Sequence, residues 1–213
     1  MLFFLYKNKL LKSKEKMTEN MKKKLSQLVQ ERKQIAISES IQIVKALLER
    51  TEEMHKTEQH ILVLLPDHIL VEKVAGEYQL LFDTGNRKTQ DLFSTDSTRK
   101  IATYQTAAIE SIGFRAPELA VTDLTRIGKQ TDYYSITAIF YYCLTGKKLS
   151  HFQMFYSGVP DISEVIYRNC MDKQASLQLY KILKKGLAPT LKKRYQSGIE
   201  MRDDLIKLQK YVR

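Results

Sequence analysis

The sequence predicts a mainly α-helical domain with one small β-hairpin, and three stretches carry that prediction. An amphipathic segment opens at Ser38, a largely apolar run extends from Ser135 to Leu144 and stops at Gly146, and Ser197 with Glu200 announces a last helix. In the first segment Ile41, Val44, Leu47 and Leu48 recur at three- and four-residue steps behind Ser38 as cap, with Met54 near the end, so one face is apolar. The second is too short to span a bilayer and reads as a buried central helix ended by glycine. In the third, the Ser197 hydroxyl and the Glu200 carboxylate are spaced as a capping box, and Leu205 and Leu208 continue the helix.

Other elements follow from the same signals. Leu177, Tyr180, Leu183 and Leu187 mark a further helix. Ile69-Leu70-Val71 and Tyr78-Gln79-Leu80-Leu81-Phe82 flank Ala75-Gly76, as a short hairpin requires. The polar stretch from Asn86 to Ser111 has no sustained period and reads as a long loop, a type that is usually functional or disordered inside a compact domain. Its Thr95, Ser97, Thr98, Tyr104 and Thr106 are candidates for phosphorylation, but Ser and Thr also accumulate in loops for turn and solvation reasons. Residues 1–37 are expected to form a basic N-terminal arm and 38–213 the main domain; no internal repeat is evident.

Composition narrows the class. Of the 213 residues, 43% are hydrophobic and 28% charged, enough for one substantial core. The net charge of +11 favours an acidic partner, yet only Lys7 to Lys24 is visibly clustered and lacks the aromatic interleaving of a single-strand-binding surface. A solvated basic face is the simpler reading, and nucleic acid as a partner rests on charge alone. Cys143 and Cys170 stand in no CxxC or Cys/His cluster, which argues against zinc and disulfide frameworks and for a reducing compartment. The apolar opening Leu2 to Tyr6 is too short for a span and precedes its basic residues, the reverse of a signal peptide. A cytoplasmic location without a membrane partner is the expectation.

The chemistry-bearing pieces are short, and their order matters. His55 closes the first long helix; then come Ile61-Leu62-Val63-Leu64-Leu65-Pro66-Asp67-His68-Ile69-Leu70-Val71, Phe82-Asp83-Thr84-Gly85 and Arg115-Ala116-Pro117-Glu118. Thr131-Asp132-Tyr133-Tyr134-Ser135, Leu144-Thr145-Gly146-Lys147 and Lys193-Arg194-Tyr195-Gln196-Ser197 complete the series. From about Ser38 to Leu208, this order resembles the C-terminal lobe of the eukaryotic-type Ser/Thr protein kinases. That family runs from a catalytic loop HRDLKPENILV through DFG and APE to an Asp before the central helix and a late Arg.

The resemblance implies a kinase-like lower lobe whose chemistry has been removed. The position of the catalytic Asp, which accepts the substrate hydroxyl proton, is held by Val63, an aliphatic group unable to take a proton. Ile61 and Leu62 stand for the His and Arg of the loop, and Leu65 for its Lys. His68 stands for the metal-binding Asn, and an imidazole suits Mg²⁺ poorly. Asp83 matches the DFG carboxylate, with Thr84 in place of Phe; it reads equally as a strand-end residue starting a turn with Gly85. Leu70 matches the floor under adenine, although a short buried strand needs the same residue type.

Scaffold positions are retained. Glu118 matches the APE glutamate, Arg194 its late arginine partner, and Asp132 the residue that hydrogen-bonds the catalytic-loop backbone. No GxGxxG segment or VAIK-like lysine precedes the loop, so the upper lobe is expected to be largely absent, with a hinge remnant at most in residues 1–37. The function implied is that of a catalytically inactive, pseudokinase-like binding or regulatory scaffold without a cofactor, retaining at most weak Mg-ATP binding through Asp83, Leu70 and His68. Its partner would be a protein, such as a kinase or a separate upper-lobe chain. The alternative is a fragment or split half of an active ATP-dependent Ser/Thr kinase, with Asp67 or His68 as the nearest stand-in bases. His55, His60, His68 and His151 have no linear metal-ligand spacing, so no metal centre on them is expected.

Overall fold

The computed structural model describes residues 22–61, 64–82, 111–120, 127–150, 153 and 159–212. Among them are six α-helices: α1 (Leu25–Arg32), α2 (Ile37–His55), α3 (Lys129–Thr145), α4 (Ser163–Arg168), α5 (Lys173–Gly186) and α6 (Gly198–Tyr211). A three-stranded antiparallel sheet is ordered β1 (Lys23–Lys24), β2 (Ile69–Val74), β3 (Glu77–Phe82). The mainly helical expectation with one hairpin therefore holds, with a third strand added. At two residues, β1 is too short to leave any periodic signal. It pairs Lys23 with Val71 and Lys24 with Leu70.

α3 is the centre. Every residue from Thr131 to Leu144 is buried, so this helix has no polar face. It ends at Gly146, whose φ of 70° is left-handed and whose hypothetical Cβ would lie 2.1 Å from the Lys33 carbonyl oxygen. Glycine is required there both for the turn and for the approach of the chain leaving α1. In the same contact, Ile35 N–H donates to the Cys143 carbonyl at 2.7 Å, satisfying one of the helix-end acceptors.

α2 packs on α3, with Ile41, Val44, Leu47 and Leu48 buried as their spacing predicts; Met54 is partly buried, and Ile43, Thr51 and His55 are buried as well. Its start differs from the sequence reading. The cap residue is Ala36, and Ser38 lies inside the first turn, where Glu39 complements the positive end of the helix. Glu39 also docks the sheet: Lys73 Nζ and the Tyr78 hydroxyl donate to its Oε1 at 2.9 and 3.0 Å, and Arg32 Nη1 to Oε2 at 2.9 Å. The hairpin turns at Ala75 and Gly76, both at positive φ, as a two-residue connection of right-twisted strands demands. Leu25, Leu28, Val29 and Ile35 belong to the same core, so the described part of the lysine-rich segment is packed into the domain.

α5 forms where Leu177, Tyr180, Leu183 and Leu187 mark a helix. Asp172 caps it by accepting from Ala175 N–H at 2.7 Å, and Ala175, Leu179, Ile182, Leu183 and Gly186 are buried. Of the four residues that mark this helix in the sequence, Leu183 and Leu187 are buried, and Leu177 and Tyr180 are exposed. Alanine and glycine sit on the inner face because the helix runs close to α3; a Cβ on Gly186 would meet Thr137 Oγ1 at 2.0 Å. α6 opens at Ser197, whose hydroxyl accepts from Glu200 N–H at 3.3 Å, while the Glu200 carboxylate reaches back to Gln196 N–H at 3.1 Å.

Asp204 joins α5 and α6 by accepting from Lys181 Nζ at 2.9 Å and Gln178 Nε2 at 3.2 Å, and it also accepts from the Tyr195 hydroxyl at 3.1 Å. Burial raises its pKa, but the hydrogen bonds and the Lys181 charge outweigh burial and hold it below the usual value. A carboxyl depressed in the folded state adds stability above its unfolded pKa of about 4, and that stability is lost as pH falls from there through the lowered folded value. Urea midpoints are therefore expected to drop between about pH 6 and about pH 3, and Asp204→Asn should flatten the decline. An unchanged slope in that variant would contradict the assignment.

Candidate functional site

Two buried polar assemblies organise the domain around α3, and each unites residues far apart in the chain. The first centres on Asp132, fully buried in the first turn of α3. Its Oδ2 lies 2.7 Å from His55 Nε2 and accepts from Ile61 N–H at 3.1 Å. His60 Nδ1 stands 3.5 Å from the same oxygen. On its other side, His55 Nδ1 is 3.2 Å from Glu52 Oε1, which also accepts from the Tyr133 hydroxyl at 2.6 Å. Burial first, and then the Glu52 carboxylate, push the Tyr133 hydroxyl far above its ordinary pKa, so it is a donor at any working pH.

These groups meet because α2 ends at His55 directly over the first turn of α3, and the turn at residues 56–58 sends the chain back toward Asp132. The Asp132 carboxylate thus fixes the start of the segment that contains Val63. Such a buried carboxylate is satisfied by converging donors, not by solvent. Glycine helps here as well: a Cβ on Gly198 would come within 2.4 Å of the Glu52 carboxyl carbon, so α6 begins hard against this assembly.

The second assembly is the ion pair of Glu118 and Arg194. Glu118 lies in a short 3-10 turn, Pro117–Ala120, and Arg194 follows another, Leu191–Lys193. Nη1 donates to Oε1 and Nη2 to Oε2, both at 2.7 Å, with both side chains buried. The guanidinium also donates through Nε to the Ala188 carbonyl at 2.6 Å and lies 4.7 Å from the centre of the Tyr134 ring. Thr131 Oγ1 donates to Glu118 Oε1 at 2.8 Å, linking the pair to α3.

Of the residues proposed for nucleotide and metal, the described ones, His68 and Leu70, lie elsewhere. His68 ends the turn Pro66–His68, and Leu70, half-buried in β2, faces Lys24 and Leu81 in register. Asp67, the other stand-in base, accepts from Ser26 Oγ of α1 at 2.6 Å and so fastens α1 to this turn. A polar concavity of about 430 Å³ opens beside them, lined by Lys24, Ser26, Gln30, Asp67, His68 and Lys148 over Pro66, Phe114 and Tyr142. Val63, Leu62, Asp83 and the loop from Asn86 to Glu110 lie outside the described residues. Mg²⁺ requires several hard oxygen ligands, and His68, the one described residue assigned to it, offers only imidazole nitrogen.

Sequence reasoning missed the clustering of His55 and His60 on Asp132. Their ligand atoms all lie within 4.8 Å of one another. Linear spacing could not reveal it, because the third member arrives from another helix. Cys143 is buried and Cys170 exposed, both as free thiols. No helix among the described residues is long and apolar enough to cross a membrane. Compared with models of known protein families and with curated proteins, the chain matches none.

Proposed function

We propose that this domain is a catalytically inactive, protein-kinase-like lower lobe that acts by binding a protein partner. The observation that carries the reading is the contrast between two sets of positions. Where the resemblance assigns scaffold roles, Glu118 and Arg194 form a buried bidentate pair and Asp132 holds the Ile61 N–H. Where it assigns phosphoryl transfer, the sequence has Leu62, Val63, Leu65 and His68. Val63 cannot accept a proton, and Asp67, the carboxylate of the loop, accepts from Ser26 Oγ at 2.6 Å and holds α1 to the turn.

Side chains kept for architecture next to side chains lost for chemistry favour a surface as the product of the fold. The test combines thermal unfolding with and without Mg-ATP and a labelled phosphate-transfer assay. A ligand at a hundred times its Kd stabilises a protein by about 2.7 kcal/mol, several degrees for a domain of this size. The expected result is no such shift with Mg-ATP and no label transferred. Clear nucleotide stabilisation, with labelling that disappears in Asp83→Ala, would favour a split or fragmentary active kinase instead.

A further inference from the structure

We propose that His55, His60 and Asp132 form a binding site for a divalent cation of the zinc type, held by His55 Nε2, His60 Nδ1 and Asp132 Oδ2. The inference is independent of the kinase resemblance and rests on how these three groups stand. Four-coordinate zinc with bonds of about 2.0–2.2 Å places its ligand atoms about 3.3–3.6 Å apart. His60 Nδ1 and Asp132 Oδ2 are 3.5 Å apart. His55 Nε2 and Asp132 Oδ2, at 2.7 Å, need to separate by about 0.6–0.9 Å to admit the ion.

Two further observations point to a ligand. His60 Nδ1 is shielded from solvent and has no hydrogen-bond partner among the described residues, although it faces a carboxylate. A buried polar atom left in this way costs free energy unless something occupies its lone pair. Second, Glu52 Oε1 lies 3.2 Å from His55 Nδ1. Histidine ligands commonly give their other ring N–H to a carboxylate, which fixes the tautomer and turns the free nitrogen toward the metal. Ile61 N–H does the same for Asp132 from the backbone.

The ligand types choose the ion. Two imidazoles and one carboxylate favour zinc or its cobalt substitute over Mg²⁺ and Ca²⁺, which prefer all-oxygen shells. The fourth position falls on the His60 side, where that ring is partly exposed while His55 and Asp132 are enclosed. A metal here would tie the end of α2, the segment entering Val63 and the start of α3 to one point.

Calorimetric titration of chelator-treated full-length protein with Zn²⁺ tests the proposal, accompanied by the visible absorption of the Co²⁺ form. Saturable uptake of one ion per chain and the intense visible bands of tetrahedral cobalt are expected. His60→Ala, a partly exposed position, should weaken binding at least about ten-fold, whereas His68→Ala should leave it unchanged. On the unaltered protein, long-range nitrogen–proton NMR should show Zn²⁺ shifting His55 Nε2 and His60 Nδ1, not their other ring nitrogens. Failure to bind, wild-type affinity in His60→Ala, loss in His68→Ala or shifts at the opposite nitrogens would each overturn it.

Discussion

Arg194→Met is expected to destabilise the domain by about 3–5 kcal/mol, the cost of removing one partner from a buried ion pair. The size follows from what remains behind. Glu118 is 6% exposed and would keep its carboxylate in the interior with only the Thr131 hydroxyl as a donor among its described bonds. The carbonyls of Ala188, Pro189 and Gln130, which now accept from the guanidinium at 2.6, 3.1 and 3.3 Å, would lose a donor at the same time. Lysine is a poor replacement, because a point ammonium cannot serve two carboxylate oxygens and three carbonyls at once. The double variant Glu118→Gln with Arg194→Met should recover part of the loss, since the stranded charge is gone. Urea unfolding measures both, and a single-variant loss below about 1 kcal/mol would mean that the cluster is hydrated, not dry.

Asp132→Ala is expected to cost about 3 kcal/mol, from two buried groups that each lose a partner at about 1–3 kcal/mol. The groups are the Ile61 N–H and the His55 ring, 3.1 and 2.7 Å from Oδ2. The effect should also be local. Ile61 N–H should exchange with solvent markedly faster in the variant, measured by hydrogen exchange under native conditions, while amides of α5 keep their relative order. Asp132→Asn should be milder, because its amide oxygen still accepts from the backbone. If exchange at Ile61 were unaltered in Asp132→Ala, the carboxylate would not be what holds that segment.

Much of the architecture was legible because its signals are local. The unbroken apolar run ending at Gly146, the Ala75-Gly76 turn between alternating strands and the Ser197 cap each lie within a few residues of what they specify. Mistakes arose where a tertiary contact overrides the local pattern. Ser38 looks like a cap, but the cap is Ala36, two residues earlier, because Ile35 and Ile37 are drawn into the core and carry the first turn with them. Leu177 and Tyr180 help to mark α5 but lie outside its inner face, because the close approach of Gly186 to Thr137 turns the small residues inward. The pairs Glu118 with Arg194 and Asp132 with Ile61 N–H span 76 and 71 residues, and no periodicity connects such positions; only the resemblance suggested them. The histidine cluster was invisible for the same reason.

The ion pair also bears on how the protein is made. On a ribosome, the segment around Glu118 emerges long before Arg194, so a growing chain that collapses early encloses an acid whose counter-ion has not yet been synthesised. Such a collapsed form should be short-lived and protease-sensitive, and completion of the native state should wait for the stretch after α5. Synthesis of the stretch that carries Arg194 would then time the last step of folding.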